Sequence, residues 1–184
     1  MTKILLHTCC APCANECVRA LRSEGCETTA FWFNPNIHPL YEYNSRRDAL
    51  KTYSAAVGLP VIYEDTYGLR AFINAVHPDY DARCGYCYRT RLYETARRAA
   101  EDGYGAFTTS LLISPYQDHE QIRKTAEEAA AHHGIAFLYR DFRPLFREGQ
   151  RRAREMNLYM QKYCGCVFSE EARYAKEPQQ QGQA

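Results

Sequence analysis

Residues 3 to 13 read Lys3-Ile4-Leu5-Leu6-His7-Thr8-Cys9-Cys10-Ala11-Pro12-Cys13. The apolar run Ile4-Leu5-Leu6 predicts a short buried strand, and the residues after it predict a loop rich in cysteine. Pro12 suits the first turn of a helix, because proline has no backbone N–H to leave unpaired there. We therefore predict a strand, a cysteine loop and a helix over 14–23, which Gly25 can end.

Short apolar runs alternate with longer helical patterns along the rest of the chain. The predicted strands are 28–33, 61–63, 106–113 and 135–139. The predicted helices are 40–57, 67–76, 88–101 and 116–132, and a basic helical segment covers about 144–170. Five strands separated by helices indicate an α/β protein with a mainly parallel sheet and helices on both faces. If the strand order is 3-2-1-4-5, the order reverses between strands 1 and 4. Such sheets bind ligands at this switch point, which the loops after strands 1 and 4 flank.

The composition indicates a folded protein. The chain has 184 residues, of which 46% are hydrophobic and 24% are charged, and these values are typical of globular proteins. We expect one α/β domain over 1–175 and a disordered tail over 176–184. No uncharged run reaches the roughly 18 apolar residues of a membrane span, and the first residues lack the apolar core of a signal peptide. The sequence therefore predicts a cytoplasmic protein without a membrane segment.

Nine cysteines are the unusual feature of the composition. Seven of them fall into three groups, which are Cys9-Cys10-Ala11-Pro12-Cys13, Cys84-Gly85-Tyr86-Cys87 and Cys164-Gly165-Cys166. Such spacings can direct two thiolates at one metal, and Gly85 and Gly165 would give the backbone between them the necessary freedom. We expect Cys26 and Cys17 to pack in the core, and for Cys17, four residues after Cys13, a role as a ligand stays open.

Clustered thiols in a reducing compartment indicate metal or redox chemistry more often than disulfides. Seven thiols exceed the needs of one four-thiolate site. They indicate either an iron–sulfur cluster with a second metal or dithiol, or one cluster with spare redox thiols. Two other interpretations stay open: a non-enzymatic module that binds zinc or tRNA, and a metal-free thiol–disulfide oxidoreductase.

Several blocks of residues give the chain a resemblance to a known family. They are His7-Thr8-Cys9-Cys10-Ala11-Pro12-Cys13, Phe33-Asn34-Pro35-Asn36-Ile37-His38-Pro39, Glu42-Tyr43, Cys84-Gly85-Tyr86-Cys87-Tyr88, Phe107-Thr108-Thr109-Ser110-Leu111-Leu112-Ile113-Ser114-Pro115-Tyr116, Asp141-Phe142-Arg143 and Gln161-Lys162-Tyr163-Cys164-Gly165-Cys166-Val167-Phe168-Ser169-Glu170. On these blocks, the sequence resembles the cobalamin-independent epoxyqueuosine reductases, the QueH family, over 7–170.

The resemblance implies an iron–sulfur oxidoreductase that converts epoxyqueuosine at the wobble position of tRNA to queuosine. It also implies a Rossmann-like fold, similar to that of adenine nucleotide alpha hydrolases. Cysteines occupy the loop that cradles phosphate in the ATP-using relatives, so no use of ATP is expected. Removing the epoxide oxygen as water needs two electrons and two protons, and therefore a metal cofactor and an electron donor that the sequence does not identify.

The expected cofactors are a 4Fe-4S cluster and a second metal ion, iron or zinc. The residues expected to hold the cluster are Cys10, Cys13, Cys84 and Cys87. Those expected to hold the second metal are Cys9, Cys164 and Cys166. The candidate proton donors or substrate ligands are His38, Tyr43, Tyr116 and Asp141. For His38 and Asp141, the capping of a local turn is an equal alternative.

A basic segment offers a surface for tRNA, although the net charge of the whole chain is only +1. Between residues 140 and 162 there are seven basic and three acidic residues, which leaves a net charge of 7 − 3 = +4. Such a patch can follow phosphates, and it can also be an ordinary solvated helix face. The candidate phosphate ligands are Arg143, Arg147, Arg151, Arg152 and Lys162. Tyr159 and Tyr163 are candidates for stacking on bases.

Overall fold

A parallel sheet of five strands lies at the centre of the computed structural model, which describes residues 2–175. The strands are β1 (Lys3–His7), β2 (Glu27–Trp32), β3 (Val61–Tyr63), β4 (Ala106–Thr109) and β5 (Ala136–Phe137). They lie in the order β3-β2-β1-β4-β5, and every neighbouring pair is parallel. The strand order and the α/β class predicted from the sequence are confirmed. The tail predicted to be disordered, 176–184, lies outside the described residues.

Seven α-helices accompany these strands within residues 2–175. They are α1 (Ala11–Ser23), α2 (Leu40–Val57), α3 (Leu69–Val76), α4 (Arg83–Glu101), α5 (His119–His133), α6 (Phe146–Glu155) and α7 (Val167–Tyr174). Right-handed crossovers place α1 and α2 on one face of the sheet and α4 and α5 on the other, because the strand order reverses direction after β3. Accordingly, α1 packs against α2 and α6, whereas α4 packs against α5. None of these helices in the described part of the chain could cross a membrane.

The central strand, β1, delivers the chain to the edge of the sheet where the cysteines lie. Its residues Ile4, Leu5 and Leu6 are almost fully buried. A strand covered by helices on both faces needs such a continuous apolar run. Asn34, which follows β2, donates a hydrogen bond of 3.0 Å to the carbonyl of Thr8, which follows β1. The carboxyl ends of the two strands are therefore tied together at the predicted switch point.

Side-chain caps explain two differences from the predicted boundaries. The strand predicted over 106–113 ends at Thr109, whose hydroxyl accepts a hydrogen bond from Leu111 N and begins a 3₁₀ turn. The helix predicted to begin at Tyr116 begins at His119. The carboxylate of Asp118 accepts a hydrogen bond from Gln121 N at 2.9 Å and caps α5 there.

The cysteine spacings also lie on different elements from those predicted. Cys84-Gly85-Tyr86-Cys87 forms the first turn of α4 and not a loop before a helix at residue 88. Gly85 allows α5 to approach closely, since a Cβ there would lie 3.3 Å from Gln121 Nε2.

The predicted basic helix stops at Glu155, and Asn157 takes the left-handed φ of 52°. Residues 158–166 form no helix, and α7 then begins after Cys166.

Candidate active site

Three cysteine thiols come together where β1 ends and α1 begins. The Sγ atoms of Cys9, Cys10 and Cys13 all lie within 4.8 Å of one another, and those of Cys9 and Cys10 are 3.9 Å apart. All three residues are buried. The backbone is extended at Cys10, with a φ of −170°, and helical from Ala11. This sharp turn directs the three side chains toward one another. We call Cys9, Cys10 and Cys13 the three-thiol group.

Polar neighbours prepare the three-thiol group to carry negative charge. The side-chain amide of Gln161 donates hydrogen bonds to Cys10 Sγ at 2.9 Å and to Cys13 Sγ at 3.3 Å. Hydrogen bonds with the Cys10 and Cys13 thiols hold the pKa of Cys9 well below its ordinary range, whereas burial holds the pKa of Cys10 well above it. Against the effect of its hydrogen bond with Cys10, the pKa of Cys13 is also raised, by its hydrogen bond with Cys9 and by burial. Without a metal, negative charge is therefore favoured on one of the three sulfurs, that of Cys9.

Four further cysteines surround a small cavity. Cys84 and Cys87 of α4, and Cys164 and Cys166 before α7, line a space of about 20 Å³ together with Gln117. We call these cysteines the four-cysteine group. Among residues 2–175, the three-thiol group alone has three ligand atoms within 4.8 Å of one another, so the four sulfurs here are more widely spaced. This grouping differs from the division of cysteines expected from the sequence, which combined Cys10 and Cys13 with Cys84 and Cys87.

The segment that contains Cys164 and Cys166 is fastened to α2. The buried guanidinium of Arg46 donates to the carbonyl oxygens of Tyr163 and Cys164, both at 2.8 Å, and to Glu42 at 2.6 Å. Gly165 has a φ of 150°, and a Cβ there would lie 3.3 Å from Ile37 Cγ1. Glycine is therefore needed at this position by its conformation and by its close packing.

A second buried arginine lies under the four-cysteine group. Arg91 is only 2% exposed, and its guanidinium donates to Cys87 Sγ at 2.8 Å and to the Cys87 carbonyl at 3.1 Å. In the described residues it forms no ion pair with a carboxylate. Burial raises the pKa of the Cys87 thiol to about 12, and the charge of Arg91 opposes this rise. The guanidinium is thus positioned to balance thiolate charge.

One large cavity, of about 900 Å³, connects the two groups of cysteines. Cys9 and Cys13 reach it from the three-thiol group, and Cys164 reaches it from the four-cysteine group. Its remaining wall combines aromatic, amide and basic side chains, among them Tyr116, Gln161 and Arg46. A cavity of this size holds a small-molecule ligand or one nucleoside.

The four predicted proton donors lie in different places. Tyr116 lines the large cavity and is 85% exposed. Tyr43 is buried and donates to Asp65 at 2.7 Å, whereas Asp141 lies outside the cavity in an ion pair with Arg143. His38 is buried, and its Nε2 donates to the Pro35 carbonyl at 3.2 Å. Tyr116 is the one of these four side chains that the structure brings to the cavity wall.

His38 gives the protein a measurable dependence on pH. Burial lowers its pKa from 6.5 to about 4, against the effect of the hydrogen bond to Pro35. As the pH falls, His38 therefore binds a proton in the unfolded state before it does so in the folded state. Above pH 6.5 this residue costs no stability, and as the pH falls to 4 it lowers the free energy of unfolding by about 3 kcal/mol.

We expect His38→Gln to flatten this loss in urea unfolding of the metal-free protein between pH 7 and 4. Burial also lowers the pKa of His7 to about 4, but that contribution is common to both proteins and cancels in the comparison. Equal pH profiles for the parent protein and the variant would show that His38 has the same pKa in the folded and the unfolded state.

The predicted phosphate ligands and stacking residues also separate into two sets. Arg147 and Lys162 line the large cavity. Outside it, Arg143, Arg151 and Arg152 are each paired with carboxylates. Tyr163 lines the cavity and donates to the His38 carbonyl at 2.8 Å, while Tyr159 donates to Glu42.

Fold and site together define a Rossmann-like protein with a thiol-rich site at the ligand-binding edge of its sheet. The fold resembles a solved structure titled a predicted subunit of tRNA methyltransferase from Methanocaldococcus jannaschii. That likeness has a TM-score of 0.56 and 11% identity, and it covers 80% of this chain and 75% of the other. It confirms the predicted Rossmann-like α/β fold.

The chain belongs to the epoxyqueuosine reductase QueH family, whose family model matches residues 4–172. A relative named epoxyqueuosine reductase QueH, from Dehalococcoides mccartyi, is 38% identical over 174 residues, which cover 95% of this chain and 96% of the relative. A relative with the same name from Thermotoga maritima is 36% identical over 181 residues, covering 92% and 91%. Membership confirms the resemblance found in the sequence and the prediction of an oxidoreductase.

Several residues of the site have weak signals in the sequence or none. Arg91 follows Cys87 by four residues, a spacing that puts both on one helix face once the helix is known to begin at Arg83. Gln161 stands within a recognised block but has no spacing that relates it to Cys10 and Cys13. Arg46 lies four residues after Glu42 on a helix that was predicted with its correct bounds, so this pair had a signal that could have been used.

Proposed function

We propose that this chain reduces epoxyqueuosine in tRNA to queuosine, with the modified nucleoside bound in the large cavity. The observation that carries the proposal is that Cys9 and Cys13 of one group and Cys164 of the other line this one cavity. Family membership supports the reaction, and the relatives carry the name of that activity. A tRNA substrate and free thiols both suit the cytoplasm.

The spacing of the sulfurs favours a different metal group for each set of cysteines. A single ion held by thiolates at about 2.3 Å draws its sulfurs to within about 4 Å of one another, and the 3.9 Å between Cys9 and Cys10 meets this condition. Each iron of a 4Fe-4S cluster takes one thiolate, so the four sulfurs stand farther apart. We propose that the four-cysteine group holds the cluster and that the three-thiol group holds a second metal, iron or zinc.

When bound, the cluster would relay the two electrons that the reduction needs, received from an external donor and without ATP. The chain itself orients the nucleoside and provides protons. Tyr116 offers an exposed ring for stacking on the base and a hydroxyl that can donate a proton in the cavity. The amide oxygen of Gln161 is buried and has no hydrogen-bond partner among the described residues, while the amide nitrogen contacts Cys10 and Cys13.

One experiment tests the reaction and the division of cysteines. The protein is loaded with iron and sulfide without oxygen and given reductant and tRNA that contains epoxyqueuosine. Mass spectrometry of the digested tRNA should then show queuosine. We expect Cys84→Ser to lose the visible absorbance of the cluster and most of the iron. We expect Cys10→Ser to keep the cluster absorbance and to lose the second metal, with both variants losing activity by more than 100-fold.

Cys26→Ser is the matched control, because this half-buried cysteine belongs to neither group. It should load and react like the parent protein. Loss of cluster absorbance in Cys10→Ser, with retention in Cys84→Ser, would reverse the assignment. A fully loaded parent protein that leaves epoxyqueuosine unchanged would reject the proposed reaction.

A further inference from the structure

The wall of the large cavity carries a set of cations without partners. Arg147 and Arg154 lie seven residues apart on one face of α6, Lys162 lies between α6 and α7, and Arg173 is on α7. All four are exposed. Within residues 2–175, none of the four forms an ion pair or a side-chain hydrogen bond, and the cavity lining contains no Asp or Glu. This side of the cavity therefore presents net positive charge to any ligand.

The other arginines of the same region are neutralised. Arg151 pairs with Glu148 at 2.5 Å and also with Glu155. Arg152 pairs with the buried Glu16 at 2.9 Å. To bind an anion, such a side chain must first leave its carboxylates, whereas an unpaired side chain keeps all its donors available. Sequence alone does not distinguish Arg147 and Arg154 from the paired Arg151 and Arg152, because all four stand on one short basic helix.

We propose that Arg147, Arg154, Lys162 and Arg173 bind the backbone phosphates of single-stranded RNA on both sides of the nucleotide that enters the cavity. This inference rests on the proposed function, since it takes tRNA as the substrate. A nucleotide turned out of a loop carries its neighbouring phosphates to the rim of the pocket that receives it. Contacts of this type set the position of the RNA and do not read its sequence.

Binding of an unmodified anticodon stem-loop RNA to the metal-loaded protein, measured by fluorescence anisotropy at several salt concentrations, tests the proposal. We expect Arg147→Ala with Arg154→Ala to weaken binding by about 10- to 100-fold at low salt. The slope of log K against log salt should fall by about 1.4, because each single-strand phosphate that no longer meets a cation reduces the slope by about 0.7. Lys162→Ala with Arg173→Ala should have the same effect on the slope.

Two comparison variants separate a local site from a general effect of charge. Arg97→Ala with Arg98→Ala removes two positive charges from the end of α4, where both arginines are paired with acids, and should leave affinity and slope unchanged. Arg151→Ala removes a paired arginine from α6 itself and should change affinity by less than about twofold. All variants should bind the same amount of iron as the parent protein, which shows that they are folded.

The outcomes distinguish this inference from the proposed function. An unchanged slope in the Arg147 and Arg154 double variant overturns the inference, as does an equal loss in Arg151→Ala or in the Arg97 and Arg98 variant. If the slopes change as expected but the parent protein does not reduce epoxyqueuosine, the phosphate site stands and the proposed reaction fails.

Discussion

Replacing Arg91 with methionine should have opposite effects on the metal-free and the metal-loaded protein. In the metal-free protein, the guanidinium is a buried charge without a carboxylate partner among residues 2–175, and a pKa of about 12 keeps the Cys87 thiol beside it protonated. Burying such a charge is costly, and a methionine of similar length removes that cost. The metal-free variant should therefore unfold at the same temperature as the parent protein or a higher one.

In the loaded protein, the sulfurs are thiolates and the same guanidinium stabilises them. Its hydrogen bond to Cys87 Sγ is 2.8 Å long, and a hydrogen bond to a charged group contributes about 1.5–3 kcal/mol. Arg91→Met should therefore lose iron to a chelator about 10- to 100-fold more readily, and its cluster should have a more negative reduction potential. Both quantities can be measured without the enzyme assay.

Arg91→Lys is the matched variant, because it keeps the charge and lacks the planar group that reaches Sγ and the carbonyl oxygen together. We expect it to keep most of the reduction potential and to lose part of the iron affinity. If Arg91→Met destabilises the metal-free and the loaded protein equally, Arg91 serves packing alone and does not balance thiolate charge.

Replacing Arg46 with methionine should give the largest loss of stability in the metal-free protein. Arg46 and Glu42 form an ion pair of 2.6 Å, and both side chains are almost fully buried. Removing one partner leaves the Glu42 carboxylate buried without its cation, at a cost of about 3–5 kcal/mol. For a chain of this size, that corresponds to a fall in unfolding temperature of roughly 6–20 °C.

A double-mutant cycle separates this effect from the loss of packing. Glu42→Gln with Arg46→Met removes both charges, so the double variant should recover part of the stability that Arg46→Met alone loses. Urea unfolding of the four proteins measures the interaction. Strictly additive losses would contradict a coupled buried pair and would assign the whole effect to the hydrogen bonds from Arg46 to the carbonyls of Tyr163 and Cys164.

The elements predicted well from the sequence are those with strong local signals. The helix over Leu40–Val57 has its predicted bounds, because Pro39 precedes it and Gly58 takes the left-handed conformation after it. The run Ile4-Leu5-Leu6 predicted both the central strand and the position of the cysteines at its carboxyl end. Local composition is sufficient where the chain itself marks the start and end of an element.

The features that the sequence could not provide depend on contacts between distant segments. The cysteines group as they do because residues 158–166 dock against α2, and no spacing along the chain encodes that docking. Pairing of Arg151 and Arg152 with acids likewise depends on side-chain directions that a basic composition does not reveal. Helix boundaries shifted where a side chain such as Asp118 caps a turn before the apolar pattern begins.

The segment that carries Cys164 and Cys166 follows every strand of the sheet, since β5 ends at Phe137. During synthesis, the sheet and the three-thiol group can therefore form while half of the ligands of the four-cysteine group are still inside the ribosome. We therefore expect folding of the sheet to precede closure of the four-cysteine group, because two of its cysteines are synthesised after every strand.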